Sequence, residues 1–352
     1  MIRLTITRTA LWGTLWALGI ASCGNAFAEE TSLHVVSQRH MGTIVRIVAD
    51  CDSAEEFQKA ADSAFARIGE IEQICSDYRN DSEVLILSAQ GPTSEPVAVS
   101  DDLWKVLSLA MQVNAATDGA FDVTVGPLTR EWRRFRRRNQ LDEQRIAEAM
   151  TGVGAQHLIL HPEKQAISLK AGQMRIDLGG IAKGYAIDAA LDALTRCGIN
   201  RALVDAGGDI GATDPPRGEL GWKVGIAGLN PKEPPIVVTY LANAAVATSG
   251  DAYQFLEHKG KRYSHILDPR TGYGVDHRGT VTVFASNAAQ ADAWASALSV
   301  LGPNGAADAL SNQEEVATWM EVLVAEEPIT WISPNLGSWL SKHRLREAPS
   351  PR

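Results

Sequence analysis

Between Cys51 and Cys75 the run "SAEEFQKAADSAFARIGEIEQI" places Phe57, Ala61, Phe65, Ile68 and Ile71 three or four positions apart, which predicts a helix with one apolar face. Ser53 and Glu56 have the spacing of a capping box and fix its start. The apolar stretch before it, residues 33 to 49, reads as a strand, and a second helix spans 101 to 116, opened by Ser100. A turn at "TDGAFD", a short helix from 141 to 150 and a hairpin from 157 to 170 follow. Gly198 then closes a helix predicted from Ile181 to Cys197. After it come strand patterns, "RALVDAG", "WKVGIAG", "PIVVTYLA" and "GTVTVFA", and a last helix, "AAQADAWASALSVL", stopped at Gly302. Strand-rich and helix-rich stretches alternate without a regular βα repeat. The expected class is α+β, with mixed, largely antiparallel sheets covered by helices and no doubly wound sheet.

The ends carry a different signal. Residues 1–28 read as an export signal, with Arg3 and Arg8 ahead of the apolar run "ALWGTLWALGIA", which is too short to span a bilayer as a mature helix. Two exits fit: "AFA" at 26 to 28, with cleavage before Glu29, or the permissive lipobox "IASC", which leaves a lipid anchor on Cys23. Either places the mature body outside the cytoplasm, soluble in the periplasm or tethered to the inner membrane. Residues 29–340 are expected to form the folded domain and 341–352 a flexible tail.

Hydrophobic residues make up 45% of the 352-residue chain, ample for a large core. The net charge of −9 argues against general nucleic-acid binding. One basic island, "RRFRRR" at 133 to 138, reads as a solvated face, with a phosphate or an anionic lipid surface as the other use. Cys51 and Cys75 flank a straight helix roughly 30 Å long, far beyond the reach of a disulfide, so these residues and Cys197 are expected to be buried thiols.

The densest chemistry is in "DLGGIAKGYAID" at 177 to 188. Lys183 is followed by Gly184 and not by Ser or Thr, so this is no Walker A loop, and the glycine spacing misses the dinucleotide fingerprint. Asp292 and Ser296, four apart on the last helix, project two oxygen side chains from one face, a possible half-site for a hard cation, although an acid in a first turn also simply complements the helix dipole. "DAGGD", "VATSGD" and "SHILDPRTG" each combine a bend, a polar side chain and free backbone amides; singly each is an ordinary tight turn.

Taken in order with "HMGT" at 40 to 43, "SDYRNDSEV" at 76 to 84, "DGAFDVTVGPL" at 118 to 128 and "ADAWASAL" at 291 to 298, these stretches closely resemble the FAD:protein FMN transferases of the ApbE family, from about residue 34 to residue 302, with a weaker echo at "WISP". The resemblance implies an exported or membrane-tethered enzyme that uses Mg2+ to split FAD and transfer FMN to a threonine of an acceptor flavoprotein subunit of a redox-driven membrane complex, releasing AMP. It sets Met41 and Tyr78 against the isoalloxazine, Ala120, Phe121 and Asp122 along the flavin and ribityl, Asp177 on a polar part of FAD, Lys183 near the cofactor and the Leu267 main chain in contact with it. The implied metal ligands are the Gly180 carbonyl, Asp292 and Ser296; the family usually has Thr at the last position, and Ser keeps the hydroxyl while losing the methyl that restricts its rotamer. His265 is the candidate general base, with Asp268 orienting it or serving in its place. Two other functions stay open on the residues: an FAD pyrophosphatase that hands FMN to water, and a non-catalytic periplasmic FAD-binding protein.

Overall fold

The computed structural model describes residues 33–343 apart from 139, 231, 251–254 and 325–326, so the export segment and most of the tail lie outside the described residues. The stretch read as one strand is a hairpin: β1 (Leu33–His40) turns at Met41 and Gly42, both at positive φ, into β2 (Thr43–Asp50). That backbone is the two-residue hairpin geometry. α1 (Ala54–Cys75) begins where the capping box predicts, the Ser53 hydroxyl accepting the Glu56 amide.

α2 (Glu83–Ala89), β3 (Val97–Ala98) and α3 (Asp101–Ala116) come next. α4 (Gly126–Arg138) was not anticipated and contains the basic island; α5 (Glu143–Met150) follows it. β4 (Leu158–His161) and β5 (Ala166–Leu169) are the expected second hairpin, and with β3 they form a three-stranded sheet. α6 (Ala182–Arg196) leads into β6 (Ala202–Ala206) and β7 (Asp209–Ala212). β8 (Trp222–Ile226) pairs with β9 (Val237–Leu241) as a separate ribbon. β10 (Ala244–Gly250) runs through the stretch read only as a bend, and β11 (Phe255–His258) pairs with β12 (Lys261–Ser264). β13 (Gly279–Ala285) precedes α7 (Ala288–Ala309), which kinks at Gly302 where φ is positive; the predicted stop is a bend, and Pro303 opens a further helical segment. β14 (Val316–Val324), β15 (Glu327–Ile332) and α8 (Leu336–Lys342) complete the chain, α8 reaching two residues into the stretch expected to be tail.

The main sheet has eight strands in the order β1-β2-β6-β7-β10-β13-β14-β15, every neighbouring pair antiparallel. Its side chains alternate between two apolar layers, as period-two burial requires. On β10, Ala245 and Ala247 face the layer of α1, α6 and α7, while Ala244 and Val246 face the β8–β9 ribbon and α8. On β13, Val281, Val283 and Ala285 divide from Phe284 in the same way. α7 is alanine-rich and buried on almost all sides, the composition that lets a helix approach both the sheet and α6 closely.

The cysteines depart from expectation in part. Cys75 is buried, Cys51 is half-buried and Cys197 is exposed just past α6; none of the three is in a disulfide. Burial pushes the Cys75 thiol up to about 12.

Candidate active site

An open cleft of about 230 Å3 lies where α4, the turn before α6, the loop after β12 and α7 meet. Of the residues singled out from the sequence, Ala120, Phe121, Asp122, Asp177, Gly180, His265, Leu267 and Ser296 line it. Met41, Tyr78, Lys183 and Asp292 do not.

Local hydrogen bonds shape the wall. The Asp177 amide donates to the Val123 carbonyl at 2.8 Å, fastening the glycine turn to the segment after Phe121, and the Asp177 carboxylate accepts the Gly179 amide at 2.8 Å. Asp122 accepts both the amide and the hydroxyl of Thr124, at 2.8 and 2.7 Å; burial raises its pKa against those bonds. Asp122 therefore shapes the cleft floor as a cap. A methyl group on Gly180 would sit 2.8 Å from Ser296 Oγ and 3.2 Å from the Phe121 ring, so only glycine lets this backbone lie against Ser296.

The basic island is not simply solvated. Arg136, Arg137 and Arg138 are exposed, but Arg133 lines the cleft, ion-paired to Asp77 and 3.7 Å from Asp177. Its guanidinium lies 4.1 Å from the centre of the Tyr78 ring, and Tyr78 as a residue is 77% exposed. Burial works against the Arg133 charge, yet the two carboxylates hold its pKa above the ordinary value; burial and the neighbouring Asp177 raise that of Asp77. Leu128, Trp132 and Phe135, three or four apart and buried, carry the signal that could have shown "RRFRRR" as the end of an amphipathic helix.

Near the cleft lies an ionic cluster of two buried carboxylates and a half-buried lysine. The Lys183 ammonium is ion-paired to Asp209, on β7, and stands 3.5 Å from Asp292. Asp292 also accepts the Gly184 amide at 3.1 Å, and Asp209 the Thr248 amide at 3.3 Å. Lys183, expected near the cofactor, and the Gly184 amide are both engaged by carboxylates. Burial opposes the Lys183 charge, but the two acids outweigh it and raise its pKa, while burial raises that of Asp292 against the pull of Lys183. One ammonium faces two carboxylates, leaving an excess negative charge one helical turn from Ser296. Carbonyl, hydroxyl and carboxylate oxygens, as on Gly180, Ser296 and Asp292, are the kinds of donor that Mg2+ takes. Among the described residues no group of three or more His, Cys, Asp or Glu could hold a metal, and the donor set that the family resemblance implies contains one acid, Asp292, with the Gly180 carbonyl and Ser296.

His265 is exposed at the cleft, and Leu267 is bridged through its backbone to Gly274. The Asp268 carboxylate is held by the Arg270 amide and guanidinium, at 2.9 Å each. Asp209 and Asp77, which pair with Lys183 and Arg133, are acids here that the sequence did not single out individually.

The profile of the ApbE family matches residues 41–320. An FAD:protein FMN transferase of Escherichia coli K12 is 30% identical over 96% of this chain and 99% of its own length. That of Vibrio cholerae O395 is 35% identical over 69% of this chain and 74% of its own. Among solved structures, the flavin transferase ApbE from Vibrio cholerae superposes with a TM-score of 0.78 at 28% identity, covering 88% of this chain and 99% of that one. The apo flavinyl transferase ApbE of Pseudomonas stutzeri gives 0.77 at 26% identity, covering 88% and 97%.

Proposed function

The chain belongs to the ApbE family and is an FAD:protein FMN transferase, and we propose that it works with Mg2+ and joins FMN to a threonine hydroxyl of its acceptor. The observation that carries the finer reading is the meeting of Gly180 and Ser296 in front of a buried carboxylate cluster with one uncompensated negative charge. The Gly180 carbonyl, Ser296 and Asp292 would hold the cation, which when bound would offset charge on the pyrophosphate oxygens of FAD.

The chain's own residues supply the rest. Phe121 and Ala120 offer an apolar wall for the flavin end of the substrate, and Tyr78 a ring at the cleft mouth for stacking. Leu267 and Asp177 close the wall around the remainder, with Met41 at the β1–β2 hairpin tip as the outermost flavin contact. His265 takes the proton of the acceptor hydroxyl as that oxygen bonds to the FMN-side phosphorus; the bond from this phosphorus to the bridging oxygen breaks, and AMP leaves with that oxygen. Lys183 holds Asp292 and Asp209 in place. The acceptor is proposed to be a subunit of a redox-driven membrane complex, met in the periplasm, with export through residues 1–28 and Cys23 as the lipid-anchor alternative.

The test is incubation with FAD, MgCl2 and a threonine-bearing acceptor subunit, followed by intact-mass measurement of the acceptor. The expected product is acceptor plus one FMN, with AMP in equal amount. FMN and AMP free in solution, with unmodified acceptor, would establish the hydrolase; bound, unsplit FAD would establish the carrier. Asp292→Ala should abolish transfer at any Mg2+ concentration, because it removes the only formal charge in the donor set. Ser296→Ala should need more Mg2+ to reach the same rate, water replacing a neutral hydroxyl, and Ser296→Thr should keep activity. Near-normal transfer by Asp292→Ala at low Mg2+ would end the donor assignment.

A further inference from the structure

α6 and α7 hold each other by a reciprocal pair of contacts. In α6 the Gly184 amide donates to the Asp292 carboxylate at 3.1 Å. Four residues further along α6, the Asp188 carboxylate accepts the Ala288 amide at 2.7 Å and the Ala289 amide at 2.9 Å, the first two amides of α7. Asp292 in turn stands four residues after Ala288. Each helix thus sends an acid, Asp292 about one turn in and Asp188 nearly two, to the backbone of the other's first turn. The contact between them is tight enough that a methyl on Gly184 would lie 2.1 Å from the Ala288 carbonyl oxygen.

These amides need partners. The first turn of a helix has N–H groups without intrahelical acceptors. In α7 the Asn287 side chain satisfies the Gln290 amide, and Asp188 satisfies the two before it. Both carboxylate oxygens of Asp188 are used, one on each amide, which fixes the start of α7 along its axis and about it. One turn later α7 presents Asp292, and two turns later Ser296.

We propose that Asp188 is a positioning residue for the cation site: by clamping the first turn of α7 to α6 it sets Asp292 and Ser296 in register with Gly180. The inference rests on the donor set proposed above. It assigns Asp188 no contact with FAD or the cation; it acts through the helix that carries the donors. Loss of such a supporting partner typically weakens metal affinity by about 10- to 100-fold.

The experiment is a calorimetric titration of MgCl2 into FAD-loaded protein, for wild type, Asp188→Asn and Asp188→Ser, with FAD affinity measured separately by flavin fluorescence. Asp188→Asn keeps the shape and one acceptor oxygen but turns an amino group towards the second amide; Asp188→Ser is short and cannot span both. The expected result is an Mg2+ Kd raised about tenfold in Asn and further in Ser, with the FAD Kd within twofold of wild type. A general structural role would move both affinities together, and that parallel loss would overturn the proposal, as would an Mg2+ Kd within twofold of wild type in either folded variant. If wild-type protein takes up no Mg2+, the donor set fails and the inference with it; if wild type binds and the variants bind equally, only the clamp fails.

Discussion

Arg133 gathers residues distant in sequence into one contact. Asp77 and Asp177 come from separate loops, and the guanidinium they hold carries the Tyr78 ring on its face. A flat guanidinium beneath an aromatic ring restrains its orientation while leaving the other face free, and Tyr78 is exposed enough for a second planar group to lie there. Tyr78→Ala should weaken FAD binding roughly tenfold, about a kcal/mol of stacking beyond area burial, and Tyr78→Phe should bind as wild type. Arg133→Lys keeps the charge beside Asp77 but loses the plane, so it should reproduce part of the Tyr78→Ala loss. Fluorescence titration of FAD reads all three; an unchanged Kd in Tyr78→Ala removes the ring from the site. Sequence alone could name Tyr78 through the family resemblance, but not what holds it, because the partners of Arg133 meet it only in the folded chain. The same limit hid Asp209, whose role exists only once β7 lies beside α6.

At the scale of elements, signals confined to a few residues were legible and those requiring another element were not. Ser53, Ser100 and Gly198 mark the ends of α1, α3 and α6 because a cap is a contact within one turn. The β1–β2 hairpin was missed because Met–Gly is not a usual hairpin pair, and only strand pairing brings both residues to positive φ. β10 was taken for a bend because "VATSG" is short of large apolar residues; its alanines face two covered layers where bulk is not required. Gly184 shows how the third dimension inverts a local rule. Glycine within a helix is ordinarily worth replacing, alanine gaining about 1 kcal/mol. Here the added methyl meets the Ala288 carbonyl and the Ala289 Cα, at 2.1 and 2.8 Å, all backbone that no rotamer change can clear. Overpacking of about 1–3 kcal/mol outweighs the propensity gain, and α6 must move off α7. Gly184→Ala should therefore lower the urea midpoint of the protein without FAD or Mg2+; a raised midpoint would mean the two helices are not in contact there.

Across the whole molecule, the sheet separates the site from the point where the described chain begins. The Met41–Gly42 turn, the Gly207–Gly208 turn and Asp209 share one end: Val45 pairs with Ala206, and a methyl on Gly207 would meet Thr43 Oγ1 at 2.6 Å. Leu33 pairs with Asp50 at the other end, eight residues of β1 away, or roughly 26 Å at strand rise. No helix among the described residues is long and apolar enough to cross a membrane. A lipid on Cys23 would be joined to Leu33 by about ten residues, a reach of at most about 35 Å, entering at the end remote from the cluster of Lys183, Asp209 and Asp292. A tether there restricts where the enzyme is while leaving its chemistry alone. Cys23→Ser should accordingly move the protein from the membrane fraction to the periplasmic extract and remove the acyl mass from its N-terminus, while FMN transfer to a soluble acceptor keeps its rate and Mg2+ dependence. Transfer to an acceptor embedded in membranes should fall, because confinement to one surface raises the effective concentration of the pair. A wild-type N-terminus at Glu29 would discard the anchor, and a variant slowed equally on soluble and embedded acceptors would show that the segment before Leu33 bears on the site itself.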